Sequence, residues 1–271
     1  MPELPEVETT LRGLQPHLLQ RRVTHVEIRD ARLRWPVPAD LPRVLRGRTI
    51  ESLSRRGKYL VFVFKHGYML LHLGMSGSLR IMTKGSAARK HDHIDWQLEN
   101  GSILRFHDPR RFGSVHWATG DPLEHPLLTG LGPEPLTREF NGEYLYSKSR
   151  HRKIVVKNFI MDARVVTGVG NIYANEALFK AGIRPDRAAG GISLQRYRQL
   201  ANAIKKTLRA AIRQGGTTLR DFVNEQGNPG YFRQRLHVYE RAGQPCAICG
   251  HIIRQQRIGQ RSSYYCAHCQ H

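Results

Sequence analysis

Residues 58–82 read KYLVFVFKHGYMLLHLGMSGSLRIM. The stretch is rich in β-branched and aromatic residues and is interrupted by the turn-forming KHGY at 65–68, so it predicts successive strands. On its N-terminal side, 22–30 (RVTHVEIRD) and 49–54 alternate polar and apolar like half-buried strands. On its C-terminal side, WQLENGSILRF at 96–106 carries Asn100-Gly101 between two apolar runs, a strong hairpin signal. Ahead of all these, Leu4, Val7, Leu11, Leu14 and Leu18 fall at helical spacing. Pro2 and Pro5 sit in or before the first turn, where a missing N–H costs nothing, and Glu3, Glu6 and Glu8 suit the positive end of the helix dipole. The first 130 residues therefore predict a helix packed on antiparallel sheets, arranged as a β-sandwich.

The period then changes. TGLGPEPLTREFNGEY, residues 129–144, is rich in Gly and Pro and suits a hinge. Beyond it, NIYANEALFKAG predicts a short helix ending at Gly182. Ser193 can cap a longer one with an apolar face of Leu194, Tyr197, Leu200, Ala201, Ile204, Leu208 and Ile212, stopped by Gly215-Gly216. The fold class is α+β. The expected division is a sandwich domain at 1–130, a hinge at 131–152, a helical domain at 153–235 and a cysteine-bearing hairpin at 236–271.

The 271 residues hold 43 Lys plus Arg against 22 Asp plus Glu, a net charge of +21. An excess of that size points to a polyanion partner, first of all nucleic acid. No apolar run approaches the length of a spanning helix, and no basic-then-apolar leader opens the chain, so membrane association is not expected and a cytoplasmic protein is. All four cysteines lie at the C-terminal end, which argues against a disulfide framework spread through a secreted fold.

Those cysteines form two C-x-x-C pairs, Cys246/Cys249 and Cys266/Cys269, separated by sixteen residues. The spacing predicts one tetrahedral Zn2+ with four thiolates and no open position, hence a structural ion. Between the pairs lie Arg254, Arg257 and Arg261, with Gly259 as the turn, so the metal would hold a basic hairpin rigid. In TGVGNIYANE, Gly168 and Gly170 flank a turn that enters a helix at Asn171; it can cradle a phosphate or simply connect two elements. HDPRRFG, 107–113, sets Arg110, Arg111 and Phe112 at a loop tip. There Phe112 either wedges between bases or tucks into the core. Met75 is either core filler or a probe, and Lys58, opening a strand, is either a surface charge or a functional one.

These strings occur together and in order: PELPEVE, RRGKYL, HLGMSGSLR, KHDH, DPRRFG, LGPEPL, GVGNIYANE, PGYF and the two C-x-x-C pairs. The chain resembles the formamidopyrimidine-DNA glycosylase family, bifunctional enzymes that excise oxidised purines and then cut the strand. The resemblance spans nearly the whole chain. It implies that Pro2, once Met1 is removed, offers a secondary amine that attacks the sugar and forms a Schiff base. An α-amine titrates at about 7.7–8.0, so part of it is unprotonated near neutral pH. The resemblance implies Glu3 as acid–base partner, Lys58 as a lesion and phosphate contact that assists proton transfer, and Arg261 as the phosphate grip that assists the second of two eliminations. It implies His91, Arg110, Arg152 and Asn171 as DNA contacts, and Met75, Arg110 and Phe112 as the set that fills the space left by an extruded nucleotide. Residues 217–232 would be a loop over the base. The implied partner is damaged double-stranded DNA; a monomer with no obligate protein partner is expected.

Departures are few: the family pattern expects Gly where this chain has Glu240 and Pro where it has Ile252. A related branch that prefers oxidised pyrimidines, the endonuclease VIII type, begins PEGPE, whereas Leu4 and the Met75/Arg110/Phe112 set favour the purine branch. A non-catalytic DNA-binding protein would explain the charge and the cysteines and leave the Pro2-Glu3 start a coincidence.

Overall fold

The structure, a computed structural model, describes residues 2–216 and 236–271. They divide into two compact units, residues 2–129 with 214–216 and residues 130–213 with 236–271. The loop expected at 217–232 lies outside the described residues.

In the first unit, helix α1 (Leu4–Leu18) buries Leu4, Val7, Leu11, Leu14 and Leu18, the five positions its period singles out. Glu3 is its N-cap residue, and the Glu3 N–H donates to Glu6 Oε2 at 2.8 Å within a capping box. Then follow β1 (Val23–Ile28), α2 (Leu41–Leu45), β2 (Ser52–Arg56), β3 (Tyr59–Phe64), β4 (Gly67–His72), β5 (Ser78–Thr83), β6 (Asp92–Leu98), β7 (Ser102–His107), β8 (Ser114–Ala118) and the short α3 (Pro126–Thr129). The strands pair antiparallel in two four-stranded sheets, ordered β1-β6-β7-β5 and β2-β3-β4-β8. Val26, Ile94, Trp96, Leu104 and Phe106 of one sheet share a single buried cluster with Leu60, Phe62, Met69, Leu71 and Val115 of the other, and Val7, Leu11 and Leu14 of α1 join it. The expected sandwich and its packed helix are therefore one core, stabilised by removal of that apolar surface from water.

One local feature refines the sequence reading and another differs from it. The run MLLHLGMSGSLRIM holds parts of two successive strands: β4 belongs to one sheet and β5 to the other, with the chain crossing between them at residues 73–77. Gly74 makes the corner at φ +67°, and a Cβ there would sit 2.4 Å from the backbone of Phe112 and Gly113. Met75 is thus carried on a corner. Lys58, for its part, does not open a strand. It is the second residue of a two-residue turn between β2 and β3, after Gly57 at φ +59°.

On the β6–β7 pair, Arg105 grips Asp95 through two hydrogen bonds of 2.8 and 2.7 Å, both side chains being almost wholly buried. Its remaining N–H groups reach the carbonyls of Ser86 and Ala87, which ties down the segment leading to His91. Burial works against the Asp95 charge, but the bonds from Arg105 and Arg29 outweigh it and hold the carboxyl below its ordinary range.

In the second unit, α4 (Gly142–Ser149), α5 (Val156–Met161), α6 (Asn171–Lys180) and α7 (Leu194–Arg213) precede a two-stranded ribbon, β9 (Arg254–Ile258) and β10 (Arg261–Tyr265). Helix α7 buries Tyr197, Leu200, Ala201, Ile204 and Leu208 and packs on α4 and α6. It stops before Gly215 and Gly216, both with positive φ. Among the described residues no helix is long and apolar enough to cross a membrane.

Asp95→Ala should cost about 3 kcal/mol in urea unfolding, because it removes the two-bond partner of the buried Arg105 and leaves Asp92, at 3.5 Å, as its remaining carboxylate. Since the folded Asp95 pKa is depressed, its contribution is present above the ordinary carboxylate range and lost as pH falls through the lower folded value. The difference between wild type and variant should therefore shrink in acid.

Candidate active site

The helix start fixes one end of the candidate site. Pro2 is buried and Glu3 is only 2 % exposed, at the N-terminal, positive end of α1. Helix α1 also holds the Lys58 turn. Glu8 Oε2 accepts a bond from Arg55 Nε at 3.0 Å, and the same guanidinium donates to the Gly57 carbonyl at 2.8 Å. Desolvation opposes the Glu8 charge, yet Arg55 and Arg12 together keep its carboxyl below the usual range. Lys58 is half-buried at the tip of this braced hairpin. Burial first, and then the charges of Lys58 and Arg34, push His72 down to about 4, so its ring is neutral at pH 7. The neutral ring can accept, and His72 Nδ1 takes the Gly74 N–H at 2.9 Å, which fixes the corner that carries Met75.

A second carboxylate organises the loops. Asp108 is fully buried: Oδ1 accepts from Ser76 Oγ at 2.7 Å and Oδ2 accepts from the Gly113 N–H at 2.8 Å. Ser76 Oγ in turn accepts the Arg110 N–H at 3.3 Å. One side chain thus ties the residue after Met75 to the residue after Phe112 and, through Ser76, to Arg110. Phe112 is 44 % exposed, which excludes the core alternative, and the Arg110 guanidinium lies 5.1 Å from its ring centre. Met75 is half-buried rather than core filler. His91 sits beside them with φ +74°; its carbonyl accepts the Asp108 N–H at 3.0 Å, and its ring centre is 6.2 Å from those of His93 and His107.

The second unit builds its own cluster. Asn171 is the first residue of α6, and its Nδ2 donates to the Ser262 carbonyl at 3.2 Å. Lys157, wholly buried, donates to the same carbonyl at 2.8 Å and to Ser263 Oγ at 2.6 Å. Asn175 Oδ1 accepts the Tyr264 N–H at 2.8 Å. Three residues of α5 and α6 therefore clamp the backbone beside Arg261, whose own side chain is exposed. Arg261 follows a two-residue turn begun by Gly259 at φ +60°, as the Arg-rich spacing predicted. Arg152 is also exposed, on a loop whose carbonyl accepts the Gly190 N–H at 2.9 Å.

The four cysteines are free thiols with all four sulfurs within 4.8 Å of one another. Sulfurs on a tetrahedral zinc lie about 3.8 Å apart, given Zn–S bonds of about 2.3 Å. The Cys246–Cys269 and Cys249–Cys266 separations of 3.9 and 3.4 Å fit that cage, and among the described residues no carboxylate joins it. The segment leading to the first knuckle, whose Val238 packs in one buried cluster with Cys246 and Cys266, is fastened to α6 by Glu176. Glu176 is fully buried and accepts the N–H groups of His237, Val238 and Tyr239 at 2.9–3.0 Å. Next to them Glu240 has φ +56°, the left-handed region. That is the position where the family pattern expects glycine, so the departure retains the turn with a residue less suited to it.

Glu8, Arg55, His72, Asp108, Lys157, Asn175 and Glu176 were not among the residues singled out from sequence. Lys157, Asn175 and Glu176 hold backbone groups far along the chain, a partnership that leaves no local spacing to read. Glu8, read from sequence only as complementing the helix dipole, holds the distant Arg55. Arg55, His72 and Asp108 hold backbone within a nearby turn whose conformation the sequence does not display.

Three family models match the chain: the formamidopyrimidine-DNA glycosylase N-terminal domain at residues 1–115, the formamidopyrimidine-DNA glycosylase H2TH domain at 131–223, and the zinc finger found in FPG and IleRS at 243–271. The formamidopyrimidine-DNA glycosylase of Methylococcus capsulatus is 60 % identical over 270 residues, covering 100 % of both chains. That of Pseudomonas putida is 58 % identical with the same coverage. Among solved structures, the MutM (Fpg) protein of Thermus thermophilus has a TM-score of 0.88 at 36 % identity, over 99 % of this chain and 98 % of that one. The Lactococcus lactis Fpg in complex with DNA containing an abasic site has a TM-score of 0.91 at 31 % identity, over 99 % of each chain. With its helix-capped sandwich, its helical domain and its four-cysteine ribbon, the chain belongs to the formamidopyrimidine-DNA glycosylase family.

Proposed function

We propose that this chain excises oxidised purines, 8-oxoguanine and formamidopyrimidines, from duplex DNA and then cleaves the strand at the resulting abasic sugar, using Pro2 as nucleophile. The observation that carries the reading is the buried Pro2-Glu3 pair at the head of α1. Removal of Met1 turns the Pro2 nitrogen into a secondary amine. Its lone pair attacks C1′, the N-glycosidic bond breaks, and the base departs with a proton. Glu3 is the group that protonates the ring oxygen as the sugar opens, and loss of the amine proton leaves an iminium. That cation acidifies the C2′ proton; its removal expels the 3′-phosphate, and a second elimination expels the 5′-phosphate. Lys58 contacts the lesion and its phosphate and assists proton transfer. Arg261 and Asn171 grip the phosphate of the extruded nucleotide, and His91, Arg110 and Arg152 bind the flanking backbone. Extrusion costs a few kcal/mol of unstacking. Met75, Arg110 and Phe112 return part of it by filling the gap. Cys246, Cys249, Cys266 and Cys269 hold one Zn2+, which supplies structural cross-linking alone.

The same proposal includes a catalytic domain at 1–130, a hinge at 131–152, a DNA-binding helical domain at 153–235 and a zinc hairpin at 236–271. It also includes action as a monomer without a protein partner, in the cytoplasm on the nucleoid.

Three measurements test it. Borohydride should trap a covalent adduct at Pro2 on DNA containing 8-oxoguanine, and only when Met1 is absent; Glu3→Gln should bind that DNA yet excise at least about a hundredfold more slowly. Trapping at Lys58 with Pro2 blocked would overturn the nucleophile. Second, Phe112→Ala should slow excision from duplex while largely sparing cleavage of a pre-formed abasic site, which has no base to unstack. Asp108→Asn should reproduce that pattern with a loss of about tenfold, the scale of one buried hydrogen bond. Equal losses on both substrates would remove these residues from extrusion. Third, chelating the zinc should abolish binding even to undamaged duplex. In the zinc-loaded protein, log affinity should fall with log salt at a slope of about −0.9 per phosphate neutralised.

A further inference from the structure

The zinc module carries a second group of metal-binding side chains. The ligand atoms of Cys249, His251 and His268 all lie within 4.8 Å of one another. The two imidazoles stack face to face, ring centres 4.4 Å apart and planes within 4°, although both side chains are exposed. One follows Cys249 by two residues and the other immediately precedes Cys269, so the pair joins the two knuckles from outside. We propose that His251, His268 and the Cys249 thiolate form a second transition-metal site, for zinc or a similar borderline divalent ion, sharing the Cys249 sulfur with the structural zinc; it rests on the four-cysteine reading above.

The chemistry supports a shared sulfur. Four thiolates around one Zn2+ leave a net charge of −2, which attracts a further cation, and neutral imidazoles add none. Cys246 and Cys266 are buried, whereas Cys249 and Cys269 are half-buried, and of these two it is the Cys249 sulfur that lies within reach of both imidazoles. Imidazole and thiolate together are a donor set for zinc and copper rather than for calcium or magnesium. A tetrahedral ion needs N and S donors about 3.5 Å apart. In the stack the ring planes are parallel and their in-plane lone pairs do not converge, so binding an ion requires one exposed imidazole to swing out of the stack by side-chain rotation; water would complete the shell.

The test uses the full chain loaded with one zinc and titrated with Zn2+, followed by native mass spectrometry and calorimetry. The wild type should take up a second equivalent. His251→Ala and His268→Ala should each weaken that equivalent by about tenfold or more, and the double variant should stay at one zinc with its thermal stability retained. With cobalt as the second ion, a thiolate-to-cobalt charge-transfer band should appear. A wild type that stops at one zinc, a second equivalent that persists in the double variant, or a cobalt complex without the band would each overturn the site. A chain that takes up no zinc at all would remove the four-cysteine reading, and this one with it.

Discussion

A carboxylate withdrawn from water and bonded to backbone N–H groups is the interaction on which both units depend. Glu6 receives the Glu3 N–H, Asp92 the Arg89 N–H at 2.7 Å, Asp108 that of Gly113, and Glu176 three in succession. Such bonds are charge-assisted and stronger than neutral ones, and they compensate the burial of the acid. In a chain with a net charge of +21, this is also a division of labour. These four acids serve as internal ties, and on the surface the remaining acids are outnumbered by lysine and arginine. Their mutual repulsion costs folding stability in free solution and is relieved when phosphates neutralise them.

Two cations are displayed by the same device. Lys58 and Arg261 each stand at a two-residue hairpin turn begun by a glycine of positive φ, Gly57 and Gly259. Such a turn matches the twist of its strands and keeps the hairpin in register. Each is then braced from a helix, the first by Glu8 through Arg55, the second by Lys157 and Asn171 on the Ser262 carbonyl. A long flexible side chain gains a fixed origin in this way, and less of its freedom is lost when it meets a phosphate.

The parts of this design legible in the sequence were those with a period or a spacing. Alternation disclosed the sandwich, the 3.6-residue period disclosed α1 and α7, and the paired C-x-x-C disclosed the metal cage. Phe112 and Met75 stayed ambiguous because an apolar residue at a loop tip has the same letter as one in a core; only exposure separates them. The crossing at Gly74 was hidden because the apolar pattern continues across it, and what separates the two strands is the close approach of Phe112 and Gly113. Asp108 and Glu176 were hidden for a related reason. A buried acid and a solvated one look alike until the distant N–H groups are known.

The clamps of the second unit also bear on how the protein is made. Lys157 and Glu176 are fully buried, and their partners are residues 262–263 and 237–239. During synthesis the helices that carry these two charges are complete long before those partners emerge. Until then an ammonium and a carboxylate that the finished fold encloses must remain hydrated, which favours an open state of α5 and α6. Vectorial folding of this unit therefore waits for the C-terminal ribbon, and a chain interrupted before residue 263 lacks the partners that let its helices close.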